Sequence, residues 1–115
     1  MRVIIAGGRY FDNYELLSTK CDKILHNQDD VTIISGGAKG ADSLGEKYAK
    51  ERGYTIEIFP AKWNEYGKKA GMIRNVEMVD SSDSLIAFWD GKSKGTKHMI
   101  DKATKKELSV RVVRY

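Results

Sequence analysis

Between Val31 and Ala49 the chain reads VTIISGGAKGADSLGEKYA. Its first five residues are almost continuously apolar, the pattern of a strand covered on both faces. From Ala41 the pattern changes. Leu44, Tyr48 and Ala49 fall on one helical stripe that runs to Arg52, with Gly53 as its stop. Ser35–Asp42 joins the two. Five of its eight residues are Gly or Ala, and its only charges are Lys39 and Asp42. A strand, a turn stripped of side chains and a helix make one βα unit. The bare turn has two physical explanations: tight packing of the turn itself, or a ligand that must approach the backbone.

The same alternation extends in both directions. β-type runs lie at Arg2–Ala6, Val31–Ser35, Thr55–Phe59, Ser84–Trp89 and Ser109–Val113. The third and fifth alternate in polarity more than the others, as strands near an edge do. Helical stripes fill the gaps. Asp12–Asn27 carries Leu16, Leu17, Cys21, Ile24 and Leu25, with Asp12 and Glu15 spaced as a capping pair and His26 at the helix end. Tyr66–Ser81 carries Ala70, Ile73, Val76 and Val79 less regularly, and Thr96–Lys105 carries Met99, Ile100 and Ala103. The order βαβαβαβαβ predicts one α/β domain over residues 1–115. Its expected core is a five-stranded parallel sheet, ordered 3-2-1-4-5, between two helical layers.

Composition agrees with a folded domain. Of 115 residues 41% are hydrophobic, and six Tyr, three Phe and two Trp supply bulk for a core. No apolar run approaches a membrane span, and no signal-peptide pattern opens the sequence. Cys21 is the sole cysteine and sits on an apolar stripe, so it reads as an inert buried thiol in a reduced, cytoplasmic setting. The net charge of +4 leans toward anionic partners, weakly, because the lysines are scattered. No His, Cys and carboxylate spacing suggests a metal site, no Ser-His-Asp constellation is present, and no cofactor is required by the pattern.

In a parallel sheet all strands end at one edge, and the unusual residues follow those ends. Gly7, Gly8 and Arg9 follow strand one; Gly36, Gly37, Ala38, Lys39 and Gly40 follow strand two; Pro60, Ala61, Lys62 and Trp63 follow strand three; Asp90–Thr96 (DGKSKGT) follows strand four. Ligands of open α/β sheets bind there. Backbone amides at a helix start hold phosphate when no Cβ intervenes. Two glycine loops therefore suggest a ligand with phosphate and ribose parts. Arg9, Lys39, Lys92 and Lys94 are candidates to neutralise its charge, and Asp42 or Asp90 to accept from ribose hydroxyls. Ser35–Asp42 is neither a Walker A loop nor GxGxxG, since Lys39 precedes Gly40 and no GK[ST] follows.

Four ordered motifs carry a family resemblance: AGGRYF (6–11), SGGAKGADSLGEKYA (35–49), FPAKWNEYGKKAGMIRN (59–75) and FWDGKSKGTKHMI (88–100). Together they resemble the YspA/cpYpsA-related branch of the SLOG superfamily, whose distant relatives include Lonely Guy phosphoribohydrolases and DprA-type DNA-processing proteins. The resemblance implies a Rossmann-like fold, a nucleotide or nucleotide-derived ligand, and pairing into a homodimer. Against the Lonely Guy GGxGT-x-E signature, Gly95-Thr96 matches, but His98 stands where the catalytic acid would be. Phosphate binding survives that comparison and the hydrolytic acid does not. Ser35–Asp42 resembles the Ser-Gly-x-Ala-x-Gly-Ile-Asp stretch of the DNA-processing proteins, with Ala41 in place of Ile.

The resemblance adds Ser35, Gly71, Arg74, Asn75 and Ser93 to the candidate ligand site. Arg74 would fork onto a phosphate or carboxylate, and Asn75 would read a base or ribose. Trp63 and Trp89 are candidates for ring stacking, with core packing as the alternative. Asp42, Glu77, Asp90 and His98 are the candidates for acid–base work. Asp12 and Asp83 read as caps. The favoured function is a sensor or sequestering module for an ADP-ribose-like molecule or nucleotide sugar. The alternatives are a hydrolase of an N-glycosidic or phosphate bond in such a ligand, and single-stranded nucleic-acid binding, which the scattered lysines serve less well.

Overall fold

A computed structural model describes residues 1–115. The strands are β1 (Arg2–Gly7), β2 (Thr32–Ser35), β3 (Thr55–Ile58), β4 (Ser84–Trp89) and β5 (Ser109–Arg114). They form one parallel sheet in the order β3-β2-β1-β4-β5. The central strand β1 pairs on one side with β2, from Arg2 opposite Thr32, and on the other with β4, from Val3 opposite Ser84. Because successive side chains alternate between faces, Val3 and Ile5 point one way and Ile4 and Ala6 the other. Both sets are buried, which is why β1 reads as a continuous apolar run.

Each face has its own helical cover. Helices α1 (Tyr14–Leu25) and α2 (Ala41–Arg52) pack Leu17, Cys21, Leu25 and Tyr48 against Val3, Ile5, Ile33, Ile86 and Phe88. On the opposite face α4 (Ala70–Asp80) and α5 (Lys94–Lys105) pack Met78, Val79, Met99 and Ala103 against Ile4, Ala6, Ile34, Leu85 and Ala87. The result is three layers, with β3 and β5 as edges. No helix is long and apolar enough to cross a membrane.

Four local expectations need correction. The cap of α1 is Asn13, not Asp12: Asn13 Oδ1 accepts from the Leu16 amide at 3.0 Å. Asp83 caps no helix; its carboxylate accepts from the Arg2 amide at 2.8 Å and pins the start of β1. The helix expected over Tyr66–Ser81 is broken. A short helix α3 (Trp63–Tyr66) and a 3₁₀ turn (Gly67–Lys69) precede α4. Gly67 takes φ +58°, a region that stops a right-handed helix. Finally α5 begins two residues before Thr96, because Ser93 caps it and its hydroxyl accepts from the Thr96 amide. His26 does end α1, and Gly53 closes α2 with φ +72°.

Cys21 is fully buried among α1, α2 and the sheet, and burial pushes its thiol up to about 12. The reactive thiolate is then scarce and inaccessible in the folded chain. A thiol-specific disulfide reagent at pH 8 is expected to label Cys21 only as fast as the domain unfolds, and rapidly in denaturant. Rapid labelling of the native chain would show that α1 does not pack as described.

Candidate functional site

The strand-tip loops meet through backbone contacts. The Gly8 carbonyl accepts from both the Phe11 and the Ala41 amides, each at 3.2 Å. Gly40 lies against the same segment at φ +77°, and a Cβ there would collide with the Gly8 carbonyl. The β1–α1 and β2–α2 loops are thus locked together over the end of the sheet.

Two open clefts lie beside this junction. The strand-edge cleft, about 280 Å³, runs between the loops and α4. Gly7, Arg9, Gly36, Ala38 and Asp42 line one side of it. Trp63, Gly71, Arg74 and Asn75 line the next, Ser93, Gly95 and Thr96 complete it from α5, and Ala6, Met78 and Met99 form an apolar floor. A second cleft of about 540 Å³ opens from it past Arg9, Arg74 and Trp63 toward Gly37, Lys39 and Tyr10. Trp63 is 59% exposed and Tyr10 90%, so both offer free ring faces. The two linings together hold Arg9, Lys39 and Arg74 against one acid, Asp42.

Arg74 is the hub of the site. Its Nη1 donates to the Gly36 carbonyl at 2.6 Å and its Nε to Asn75 Oδ1 at 3.1 Å. Asn75 Nδ2 in turn reaches the Gly95 carbonyl at 3.4 Å and His98 Nδ1 at 3.2 Å. One run of hydrogen bonds therefore ties the loop after β2 to α4 and to the start of α5. Nη2 of Arg74 makes no bond within the chain and stays free for a ligand oxygen. Asp42 sits 7% exposed at the start of α2, with Oδ2 accepting from the Ala38 amide at 3.2 Å. Burial pushes its carboxyl up to about 6, against the lowering influence of that amide and of the Arg74 charge.

The glycine loop after β2 is less bare than its sequence suggests. The Gly37 amide donates to Ser35 Oγ at 3.1 Å, and Ser35 donates onward to Glu46 at 2.7 Å. With Ala38 bonded to Asp42 and Ala41 to Gly8, these three amides are engaged internally. Gly36 is crowded by side-chain ends: a Cβ would come within 2.5 Å of Arg74 Nη1 and 2.8 Å of Asp42 Oδ2, so a larger residue would displace them. Gly71 and Gly95 differ. A Cβ on Gly71 would make only an ordinary contact with Trp63, at 3.5 Å, and one on Gly95 would meet nothing within 4 Å. Neither has a positive φ. The amides of Lys94 and Gly95, in the first turn of α5, have no partner within the chain.

Several residues expected in the site stand outside it. Ser35 is a buried latch to Glu46. Gly8 and Gly40 serve the loop junction. Lys62 is exposed ahead of α3 and lines neither cleft. Trp89 donates from its indole nitrogen to the Ser93 carbonyl at 3.1 Å, and the Arg114 guanidinium covers its ring at 5.1 Å. Asp90 Oδ1 accepts from the Lys92 and Ser93 amides at 2.8 and 2.9 Å, which hold its carboxyl below the usual range and make it a loop brace. Glu77 is exposed on α4 and lines neither cleft. Lys92 and Lys94 also lie outside both linings. Tyr10, Met78 and Met99 were missed as lining. Met78, three residues beyond Asn75, was legible as one helical face with it.

With the geometry in place, comparison with known proteins is informative. Residues 1–66 match the family model described as YspA, cpYpsA-related SLOG family. Over 116 aligned residues the chain is 34% identical to "Gene 61 protein" of Mycobacterium phage D29, covering 95% of this chain and 93% of that one. No solved structure matches the chain. The chain belongs to the YspA, cpYpsA-related SLOG family.

Asp42 gives a pH signature. Its folded pKa, about 6, lies above the unfolded value near 3.8, so the native state binds the proton more tightly. The contribution is intact below pH 4 and is lost as pH rises through 6, on the order of 2–3 kcal/mol in all. Asp42→Asn retains an acceptor for Ala38 and removes the ionisation. Urea midpoints between pH 4 and 7 are expected to flatten in the variant and to exceed wild type at pH 7. An unchanged pH dependence would show that Asp42 is not buried as described.

Proposed function

We propose that the chain binds a phosphate-bearing nucleotide derivative in the strand-edge cleft, as a sensor or sequestering module. Family membership supports a nucleotide-related ligand. The observation that carries the reading is the pair Gly71 and Gly95. Both line the cleft, neither is required by packing or by backbone conformation, and in the first turn of a helix each is less favourable than Ala. A close-lying ligand accounts for that cost. Phosphate oxygens would take the free amide of Gly95, Arg74 Nη2 and the Arg9 guanidinium. A base or second ring would stack on Trp63 in the wider cleft beyond, flanked by Tyr10. An ADP-ribose-like molecule or a nucleotide sugar has this sequence of parts.

A hydrolytic reading rests on one specific observation. Asp42, on the cleft wall with a carboxyl near 6, is the one lining residue able both to donate and to accept a proton near neutral pH. Cleavage of an N-glycosidic bond in the bound ligand would use it as general acid. Chromatography of each binding ligand after incubation separates turnover from binding.

Thermal unfolding with AMP, ADP, ADP-ribose and UDP-glucose tests the binding. At a free ligand concentration a hundredfold above Kd the expected gain is about 2.7 kcal/mol. Gly71→Ala and Gly95→Ala are expected to melt at or above the parent temperature yet bind about tenfold more weakly. Arg74→Gln should lose the shift. If both alanine variants bind as the parent does, the two glycines have another cause and the site is wrong.

A further inference from the structure

The wall that carries Gly71 and Gly95 has a second side. Gly71, Arg74, Asn75 and Gly95 also line an outer groove of about 360 Å³, with Lys68, Met72, Lys94 and His98. That lining holds three cations, Lys68, Arg74 and Lys94, and no carboxylate. Of the acids on the adjoining helix surfaces, Asp101 pairs with Lys97 at 2.9 Å and Asp80 with Lys106 at 3.2 Å, whereas Glu77 and Glu65 are exposed and line neither the groove nor the cleft. His98 is fixed in one tautomer. Asn75 Oδ1 accepts from Arg74, so Nδ2 is the amide nitrogen; it donates to His98 Nδ1, and the ring proton sits on Nε2. Burial, then the Lys102 charge, lowers the His98 pKa against the opposing Asp101 charge, which favours the neutral ring. Its Nε2–H is a donor without a partner in the chain.

The two depressions share four residues, and at two of them no side chain rises from the shared wall. A ligand in the strand-edge cleft therefore meets a low sill at Gly71 and Gly95, with a second set of anion donors beyond it.

We infer that the ligand straddles this sill and carries anionic groups at two separate positions. One sits on Arg9 and Arg74 inside; the other sits in the outer groove on Lys68, Lys94 and His98 Nε2–H. The chemical class is a nucleoside bisphosphate, phosphorylated on two different ribose hydroxyls. Phosphates on two different ribose hydroxyls stand farther apart than those of a contiguous diphosphate, and so suit two donor sets divided by a wall. The inference rests on the nucleotide reading above and, within it, favours two separated phosphates over the contiguous diphosphate of ADP-ribose or a nucleotide sugar.

Calorimetric titration tests it with AMP, ADP, adenosine 3′,5′-bisphosphate and adenosine 2′,5′-bisphosphate, and with the guanosine counterparts. For at least one base, a separated bisphosphate is expected to bind about tenfold or more tightly than both the monophosphate and the contiguous diphosphate. Lys68 and Lys94 are exposed, so the double variant Lys68→Gln/Lys94→Gln should fold as the parent does. It is expected to reduce the bisphosphate to monophosphate affinity while leaving the monophosphate within about twofold. Equal gains from the diphosphate and the bisphosphate would overturn the straddling geometry. So would a double variant that weakens every nucleotide by one factor, since its charges would then act only at long range. If monophosphates bind without the gain, the straddling geometry alone fails. If no nucleotide binds, the nucleotide reading fails with it.

Discussion

The carbonyl of Gly8 accepts from two amides, one on its own loop and one at the start of α2. Neither bond is worth more than about 1 kcal/mol net, yet together they decide where the first two strand tips stand. The junction closes only because Gly40 has no side chain and tolerates φ +77°. Once it closes, Ala41 is placed under Gly7, Asp42 is buried at the head of α2, and Gly36 faces α4. The cleft is a consequence of that closure. Its cations and its single acid are side chains hung on a backbone arrangement that already exists without a ligand.

The glycines at the sheet edge consequently fall into two physical kinds. Gly7 and Gly40 answer to the backbone of the fold, and Gly8 and Gly36 are crowded by the ends of neighbouring side chains. A Cβ at any of them would strike a neighbouring backbone or side-chain atom, whether the Phe88 carbonyl, the Tyr115 hydroxyl, Arg74 or the loop after β1. Gly71 and Gly95 answer to nothing in the chain. Composition counts the two kinds alike, so a glycine-rich edge by itself overstates the ligand. The distinction also moves the centre of the site. The phosphate-like environment is weaker in the loop after β2, where the Gly37 and Ala38 amides are engaged, and stronger at α4 and the start of α5.

What the sequence revealed and what it hid divide along the range of the forces involved. The five strands, their order and both ends of α2 follow from local patterns: apolar runs, a helical stripe and a glycine stop. That Arg9 and Trp63 line one cleft follows because the loops of a parallel sheet share one edge, whereas Arg74 and Asn75, on α4, were singled out by the family motif. Where the structure gives a residue another engagement, the partner lies sometimes far along the chain and sometimes in the same loop. Trp89 looked like a stacking ring until Arg114, on the edge strand β5, covered it. Asp90 looked like a ribose acceptor, but its own loop consumes its carboxylate. Ser35 had the right address, but α2 brings Glu46 to it. The break between α3 and α4 was hidden because Gly67 reads in sequence as one weak helical residue, and only its backbone angle makes it a stop.

Arg74 illustrates why the chemistry of this site cannot be partitioned residue by residue. Its guanidinium holds the Gly36 carbonyl and the Asn75 side chain, and Asn75 in turn holds the Gly95 carbonyl and His98. Removing Arg74 takes away the guanidinium proposed to meet the ligand and also releases the contacts that tie the loop after β2 to α4 and the start of α5. A loss of affinity in such a variant therefore sums a contact with an ordering cost. Residues joined in one network couple by about 0.5–3 kcal/mol, so only a double-mutant cycle separates the two. Because Asn75 does not carry the charge, the Arg74–Asn75 cycle isolates the ordering part. For the proposed binding, the network would contribute pre-organisation: a charge-bearing arm held at the cleft wall, with one nitrogen left over.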